Sequence, residues 1–230
     1  MITLFSYPEL FGVADNNPFG LKVFAFLKLC DLDFRHEHIF DAKAAPRGQL
    51  PYILDDGEVV GDSGVIIAHL TRKYGLTIDN HLTEAQRITD LLVARMLDDL
   101  YWVMSYSRWQ DERFWPQFRD AIRQRHPAVT SEGLEAAKEY NSKRYHYQGI
   151  GRYTPDAAYA RGLADLRVLG RLVPEQAFVF GEHPSSIDAG VYGFLANIFF
   201  YPIETPLREY VCSCPNLVRH CHAMHAAVAG

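Results

Sequence analysis

The sequence predicts a small α/β domain over residues 1–76 followed by an all-helical domain over residues 83–230. Three observations predict this. The first third of the chain reads β-α-β, a variable connection, then β-β-α, the pattern of a small mixed sheet with helices on its faces. Beyond Leu82 no stretch has a persuasive strand pattern, while apolar residues recur at helical spacing. The length, 230 residues, is too great for one minimal domain and comfortable for two small ones.

The first strand is Ile2 to Ser6, short, apolar and followed by a turn-rich segment over 12–18. Asn17 then suits an N-cap and Pro18 the first turn of a helix, which runs to about Leu29 with Leu21, Phe24, Ala25 and Leu29 as its apolar stripe. Residues 34–39 alternate as a second strand. Two further strands, 52–54 and 58–60, flank Asp55-Asp56-Gly57, a hairpin signal. Ser63 opens a helix that stops at Tyr74-Gly75.

In the second half, Thr83 caps a long helix reaching about Arg108, and another helix follows over 114–125. Residues 140–153 are aromatic and contain glycine, and their pattern assigns no element. Pro155 starts a helix ending near Leu172, residues 185–199 form a very apolar helix, and Pro215 starts the last one.

Composition narrows the function. The formal net charge is −5, so a polyanionic partner would need a local basic patch. The densest basic stretch, 119–125, interleaves its arginines with Asp120, Ile122 and Gln124, and no nucleic-acid partner is expected. No run approaches the roughly 18–20 apolar residues that cross a bilayer, so no membrane partner is expected either. The chain begins directly as a strand, without a basic region or cleavage site, which places the expected mature start at Met1 in the cytoplasm. Four cysteines make no disulfide framework.

Three stretches resemble the glutathione transferase superfamily, in particular its metaxin-like and failed-axon-connections-like branch. They are Pro18-Phe19-Gly20-Leu21-Lys22-Val23, then Gln49-Leu50-Pro51-Tyr52-Ile53 with Gly61-Asp62-Ser63-Gly64 shortly after, and Gly181-Glu182-His183-Pro184-Ser185-Ser186-Ile187-Asp188. They span most of the chain in the family's order. The resemblance implies a thioredoxin-like N-terminal domain, an all-α C-terminal domain, a homodimer, and glutathione as co-substrate for attack on a small hydrophobic electrophile.

It also implies where glutathione binds. Leu50-Pro51 would be a cis bond that exposes the Leu50 backbone to the cysteinyl part of the tripeptide, which docks like an added strand. Asp62 and Ser63 stand at a helix N-terminus, where free N–H groups and the dipole suit the γ-glutamyl carboxylate. Ser63 may be read there as ligand or simply as helix cap, and Asp62 as partner of the ammonium or as turn stabiliser. Lys43, Arg47 and Gln49 precede Leu50 on the connection that meets the glycyl carboxylate, with Lys43 and Gln49 as the candidates. The Ser185-to-Asp188 capping box is a folding element and carries no site.

The chemistry asks for a thiolate. A free thiol titrates near about 8.5, and lowering that by two units takes about 2.7 kcal/mol of preferential thiolate stabilisation. Family members commonly place serine, cysteine or tyrosine for this purpose. Here Asp15-Asn16-Asn17 precede Pro18, with no serine or cysteine. Asn17 is the leading thiol partner, with its amide as donor, Asn16 is the second choice, and Tyr7 offers a hydroxyl route. Asn17 is equally readable as a plain N-cap.

Other features have simpler readings. Cys212, Cys214, His220, Cys221, His222 and His225 lack the paired spacing of a zinc site, so no metal is expected, and Leu217, Cys221 and Met224 would share a helix face instead. Tyr101, Trp102, Tyr106 and Trp109 are core residues or pocket lining, with Tyr106 the first candidate for the pocket. Arg95, Asp98 and Asp99 read as a solvated face or as partners of a second subunit. Two rival functions remain: a glutathione-dependent disulfide or peroxide reductase without a protein cysteine, and a non-catalytic metaxin-like interaction protein.

Overall fold

The computed structural model describes residues 1–229. Its sheet has four strands, β1 (Ile2–Ser6), β2 (Phe34–His38), β3 (Tyr52–Asp55) and β4 (Glu58–Gly61), in the order β2-β1-β3-β4. β1 is central, parallel to β2 and antiparallel to β3, with Ile2 opposite Phe34 on one side and Asp55 on the other. Alternation along β1 buries Ile2, Leu4 and Ser6 against the helices. The helices of this half are α1 (Pro18–Leu29) and α2 (Ser63–Tyr74). The fold is therefore the thioredoxin-like sheet expected from the element order, with an irregular connection between β2 and β3.

Seven α-helices follow among the described residues: α3 (Glu84–Trp109), α4 (Trp115–Arg125), α5 (Ser131–Gln148), α6 (Pro155–Leu172), α7 (Ser186–Phe199), α8 (Pro206–Ser213) and α9 (Pro215–Val228). Their starts follow from local chemistry. Thr83 and Gln86 exchange hydrogen bonds as a capping box ahead of α3, and Thr154 and Thr205 cap α6 and α8, each of which begins with proline. Leu217, Cys221 and Met224 do share the buried face of α9. No helix of the described residues is long and apolar enough to cross a membrane.

The unassigned segment 140–153 belongs largely to α5, which starts nine residues earlier, at Ser131. Its core face is only Leu134, Asn141 and Tyr145, too sparse and too polar for an apolar period to show. α8 likewise carries just two buried residues, Leu207 and Val211.

The two halves share one core. Leu21, Val23 and Phe26 of α1 pack in the same cluster as Leu97 of α3 and Tyr192 and Phe194 of α7. Gly193 makes this possible: a Cβ there would stand 2.4 Å from the Pro18 carbonyl oxygen, so only glycine lets α7 back onto the first turn of α1. That contact fixes the N-terminus of α1 against the helical half, where the cleft opens.

Candidate active site

The loop between β1 and α1, residues 7–17, is pinned from the helical side. Leu10 is buried in a cluster with Trp115, Phe118 and Tyr201, and Phe11 meets the Tyr201 ring edge-on at 4.5 Å. Arg108, in the last turn of α3, is buried and donates to the Asn16 carbonyl at 2.7 Å and to the carbonyl and side-chain oxygens of Asn197 on α7. Asn197 in turn donates to the Asp15 carbonyl at 3.1 Å. The guanidinium lies 3.9 Å from the Tyr201 ring centroid, a cation–π contact in a desolvated place.

Asp15 is fully buried. Its Oδ1 accepts the Asn17 N–H at 2.7 Å, while Oδ2 has no hydrogen-bond partner among the described residues and lies 1.6 Å from where a Cβ on Gly20 would have to be. Glycine at position 20 thus gives the carboxyl its room. Burial pushes the Asp15 pKa up to about 8, against the pull of the Asn17 N–H and Arg108. The folded state therefore holds this proton across a range in which the unfolded chain, with a pKa near about 3.9, has lost it. Its contribution to stability falls as pH rises from about 4 to about 8. Asp15→Asn keeps the Oδ1 acceptor and removes the titration. Thermal melts from pH 5 to pH 8.5 are expected to show a smaller loss of stability in the variant than in the parent protein.

Asn17 is the helix cap that the sequence allowed, and it also lines the cleft. Its Oδ1 accepts the Phe19 N–H at 3.0 Å as the cap of α1, which leaves the Nδ2 protons as donors on the cleft wall, where Asn17 sits. Tyr7 lines the same cleft. Burial, reinforced by Tyr101 and Asp15, raises its pKa to about 12, so the hydroxyl keeps its proton and remains a donor. Asn16 is a correction: its amide is turned to the Pro8 carbonyl at 2.7 Å, away from the cleft, and its own carbonyl is taken by Arg108.

The cleft has a volume of about 440 Å³, and its N-terminal wall continues through Gln49, Leu50, Pro51, Asp62 and Ser63. The Leu50–Pro51 bond is cis. Asp62, not Ser63, caps α2: its Oδ1 accepts from Gly64 and Val65, at a φ of 76°, and its Oδ2 accepts from Arg47 at 2.9 Å. Oδ1 of Asp62 is spent on the turn and Oδ2 on Arg47. Ser63 opens the helix, so its N–H has no intrahelical acceptor, and no hydrogen bond among the described residues engages its hydroxyl. Lys43 is a second correction. It stands outside the cleft with its side chain 92% exposed beside Asp41, and the cation that lines the cleft on this connection is Arg47.

The opposite wall comes from α3 and α5. Tyr101 and Trp102 line it, together with Arg95, Asp98, Tyr140 and Arg144. Tyr106, the first pocket candidate of the sequence, is instead buried between the Tyr145 and Tyr159 rings, and Trp109 packs on Trp115 and Phe118. Lys22 and Arg144 were not singled out by the sequence. Lys22 carries a signal in hindsight, a cation one turn into an apolar helix. Burial lowers its pKa, with Asp98 and Asp90 opposing.

The comparisons with known proteins converge. A model described as the glutathione S-transferase N-terminal domain matches residues 18–114, and one described as the C-terminal domain matches residues 162–224. The chain is 33% identical over 227 residues to the isoprene-epoxide glutathione S-transferase of a Rhodococcus strain, covering 95% of each. It is 28% identical to Failed axon connections of Drosophila melanogaster, covering 90% of this chain and 53% of that one. With human metaxin-2 it shares 25% identity, covering 94% of this chain and 84% of that one. Among solved structures, a glutathione S-transferase of Methylobacillus flagellatus with glutathione bound superposes with a TM-score of 0.62, at 16% identity over 100% of this chain and 98% of that one.

Proposed function

The chain belongs to the glutathione S-transferase family, and from that premise we propose that it conjugates glutathione to small hydrophobic electrophiles in the cleft between α1, α2, α3 and α5. The observation that carries the reading is the set of donors left without partners around that cleft: the Ser63 N–H and hydroxyl and the Asn17 amide. Donors on the wall of an open cleft are met by water until a ligand with matching acceptors takes its place. The fit to glutathione follows group by group.

Ser63 and the dipole of α2 hold the γ-glutamyl carboxylate. The Leu50 backbone pairs with the cysteinyl residue, Gln49 lies toward the glycyl carboxylate, and Arg47, paired with Asp62, stands at the γ-glutamyl end. That leaves the sulfur toward the N-terminus of α1, where the Asn17 Nδ2–H and the Tyr7 hydroxyl donate to it. Two donors and a helix N-terminus are of the right order for the roughly 2.7 kcal/mol that a two-unit drop in thiol pKa requires. The aromatic wall of Tyr101 and Trp102 holds the electrophile beside the sulfur, so that attack is effectively unimolecular. The similarity to an isoprene-epoxide transferase favours an epoxide as that electrophile.

A dimer fits the same reading. Val65 on α2 and Ile88, Leu91 and Leu92 on α3 are 54%, 56%, 56% and 65% exposed, Leu91 lines the cleft, and a second copy would cover apolar side chains of this kind.

Calorimetry tests the proposal. The parent protein is expected to bind glutathione with micromolar-to-millimolar affinity, and Ser63→Ala to weaken binding at least about tenfold, the loss of roughly 1.4 kcal/mol. The similarity to metaxins and Failed axon connections supports the other outcome, an interaction protein on this fold. No detectable binding by the folded parent protein would establish that reading instead.

A further inference from the structure

We propose that Arg144, assisted by the Tyr101 hydroxyl, is an oxyanion site for the electrophile, and that it selects substrates whose reacting oxygen becomes negatively charged as sulfur attacks. The inference rests on the transferase reading above and goes beyond it by assigning the electrophile's half of the chemistry to named residues.

Arg144 is a cation on the cleft wall without a counter-ion. It is half-buried on α5, and among the described residues no carboxylate pairs with it. Its Nη1 donates to Asn141 Oδ1 at 2.9 Å, and Asn141, itself buried, is held by the Ala137 carbonyl at 3.0 Å. The guanidinium lies 5.1 Å from the Trp102 ring centroid and 5.7 Å from that of Tyr140. Neutral partners therefore fix its orientation, while most of its five N–H donors stay available. Partial burial of an unpaired charge costs stability, so its position beside the cleft calls for a ligand charge that meets it.

The arrangement around it narrows what that charge is. Tyr7, Tyr101, Tyr140 and Arg144 line one cleft. The sulfur is activated on the α1 side and the guanidinium stands on the α5 wall. A small electrophile held between them is attacked from one side and has its departing oxygen received on the other. With a terminal epoxide, the thiolate forms a C–S bond to carbon as the C–O bond breaks, and its electron pair goes to oxygen. The alkoxide is held by Arg144 and Tyr101 and takes up a proton from solvent, balancing the one the thiol released on ionising. Nothing leaves, and no oxidant or reductant is needed. A departing halide also carries negative charge, but it is a much weaker base and hydrogen-bond acceptor than an alkoxide and needs no proton, so it gains much less from this wall.

The test compares 1,2-epoxybutane with 1-bromobutane, matched in carbon count, on the parent protein, Arg144→Met, Arg144→Lys and Tyr101→Phe. Arg144→Met is expected to lower kcat for the epoxide about a hundredfold, as removal of one oxyanion donor does. The KM for glutathione and the rate with the bromide should change less than about threefold. Arg144→Lys should recover part of the epoxide rate, and Tyr101→Phe, which keeps the ring, should lower the epoxide rate about fivefold and the bromide rate by less. If Arg144→Met does not fold, the lysine and phenylalanine variants carry the same comparison. Equal losses on both electrophiles, or no loss on either, would overturn the assignment while leaving the transferase reading intact. So would a parent protein that turns over the bromide and not the epoxide. A parent protein that neither binds glutathione nor turns over either electrophile would overturn both.

Discussion

Replacing Asn17 with alanine is expected to raise the pKa of the bound glutathione thiol by about one unit, its share of a shift that Tyr7 and the helix N-terminus also supply, and to lower kcat/KM about tenfold. The expectation follows from how the side chain divides its work. The carbonyl oxygen caps α1 through Phe19, which fixes the amide so that its protons are the part left to the cleft. Alanine removes both functions, and loss of the cap alone costs about 1 kcal/mol of stability. Two other variants separate them. Asn17→Asp keeps a cap acceptor and replaces the donor with a negative charge, so it should retain stability while losing more activity than alanine. Asn17→Ser keeps a cap and a hydroxyl donor, and should retain most of both. Kinetics on glutathione, read beside thermal melts of the same proteins, distinguish these outcomes. Activity that followed stability across the series would make Asn17 a cap only.

The largest effect on stability is expected at Arg108. Its guanidinium joins the Asn16 carbonyl to Asn197 and stacks on Tyr201, while Asn197 holds the Asp15 carbonyl. Arg108→Met removes the donors and leaves several buried acceptors without partners, a loss of about 3–5 kcal/mol. For a chain of this length that lowers the melting temperature by about 6–20 °C. Urea unfolding measures it. The contrast is Arg161→Met, whose pair with Asp99 is largely exposed and should contribute less than about 1 kcal/mol. The two groups of Arg108 contacts lie 92 and 89 residues away in sequence, on opposite halves of the molecule. The variant should therefore also loosen residues 7–17 and weaken the placement of Tyr7 and Asn17. A melting temperature within about 2 °C of the parent would contradict this account of how the loop is held.

Much of the fold was legible because its signals are local. Asn17-Pro18 marks the start of α1, Asp55-Asp56-Gly57 the β3–β4 turn, and Gly75 the end of α2 with a left-handed cap. Each is decided within about four residues. The N-terminal wall of the cleft was legible for the same reason, since Leu50, Pro51, Asp62 and Ser63 stand at element ends that the pattern itself marks. What stayed hidden depends on distant partners. Asp15 reads as an ordinary loop aspartate, and only the packing of Gly20 and α7 around it shows a buried carboxyl. Asn16 and Asn17 are indistinguishable as neighbours in a turn, and Arg108 and Pro8 decide which one faces the cleft. Lys43 and Arg47 lie on one irregular connection, whose path no periodicity predicts. Arg144 sits on α5, the helix whose buried face is too sparse to read.

The central claim is that this cleft binds glutathione and ionises its thiol, and titration of the bound thiol tests it most directly. Thiolate absorbance near about 240 nm, followed against pH with the protein saturated in glutathione, should give an apparent pKa about one to two units below the free value of about 8.5. Saturable binding with the thiol still titrating at its free value would contradict the claim, because the donors at Asn17 and Tyr7 would then not be acting on the sulfur.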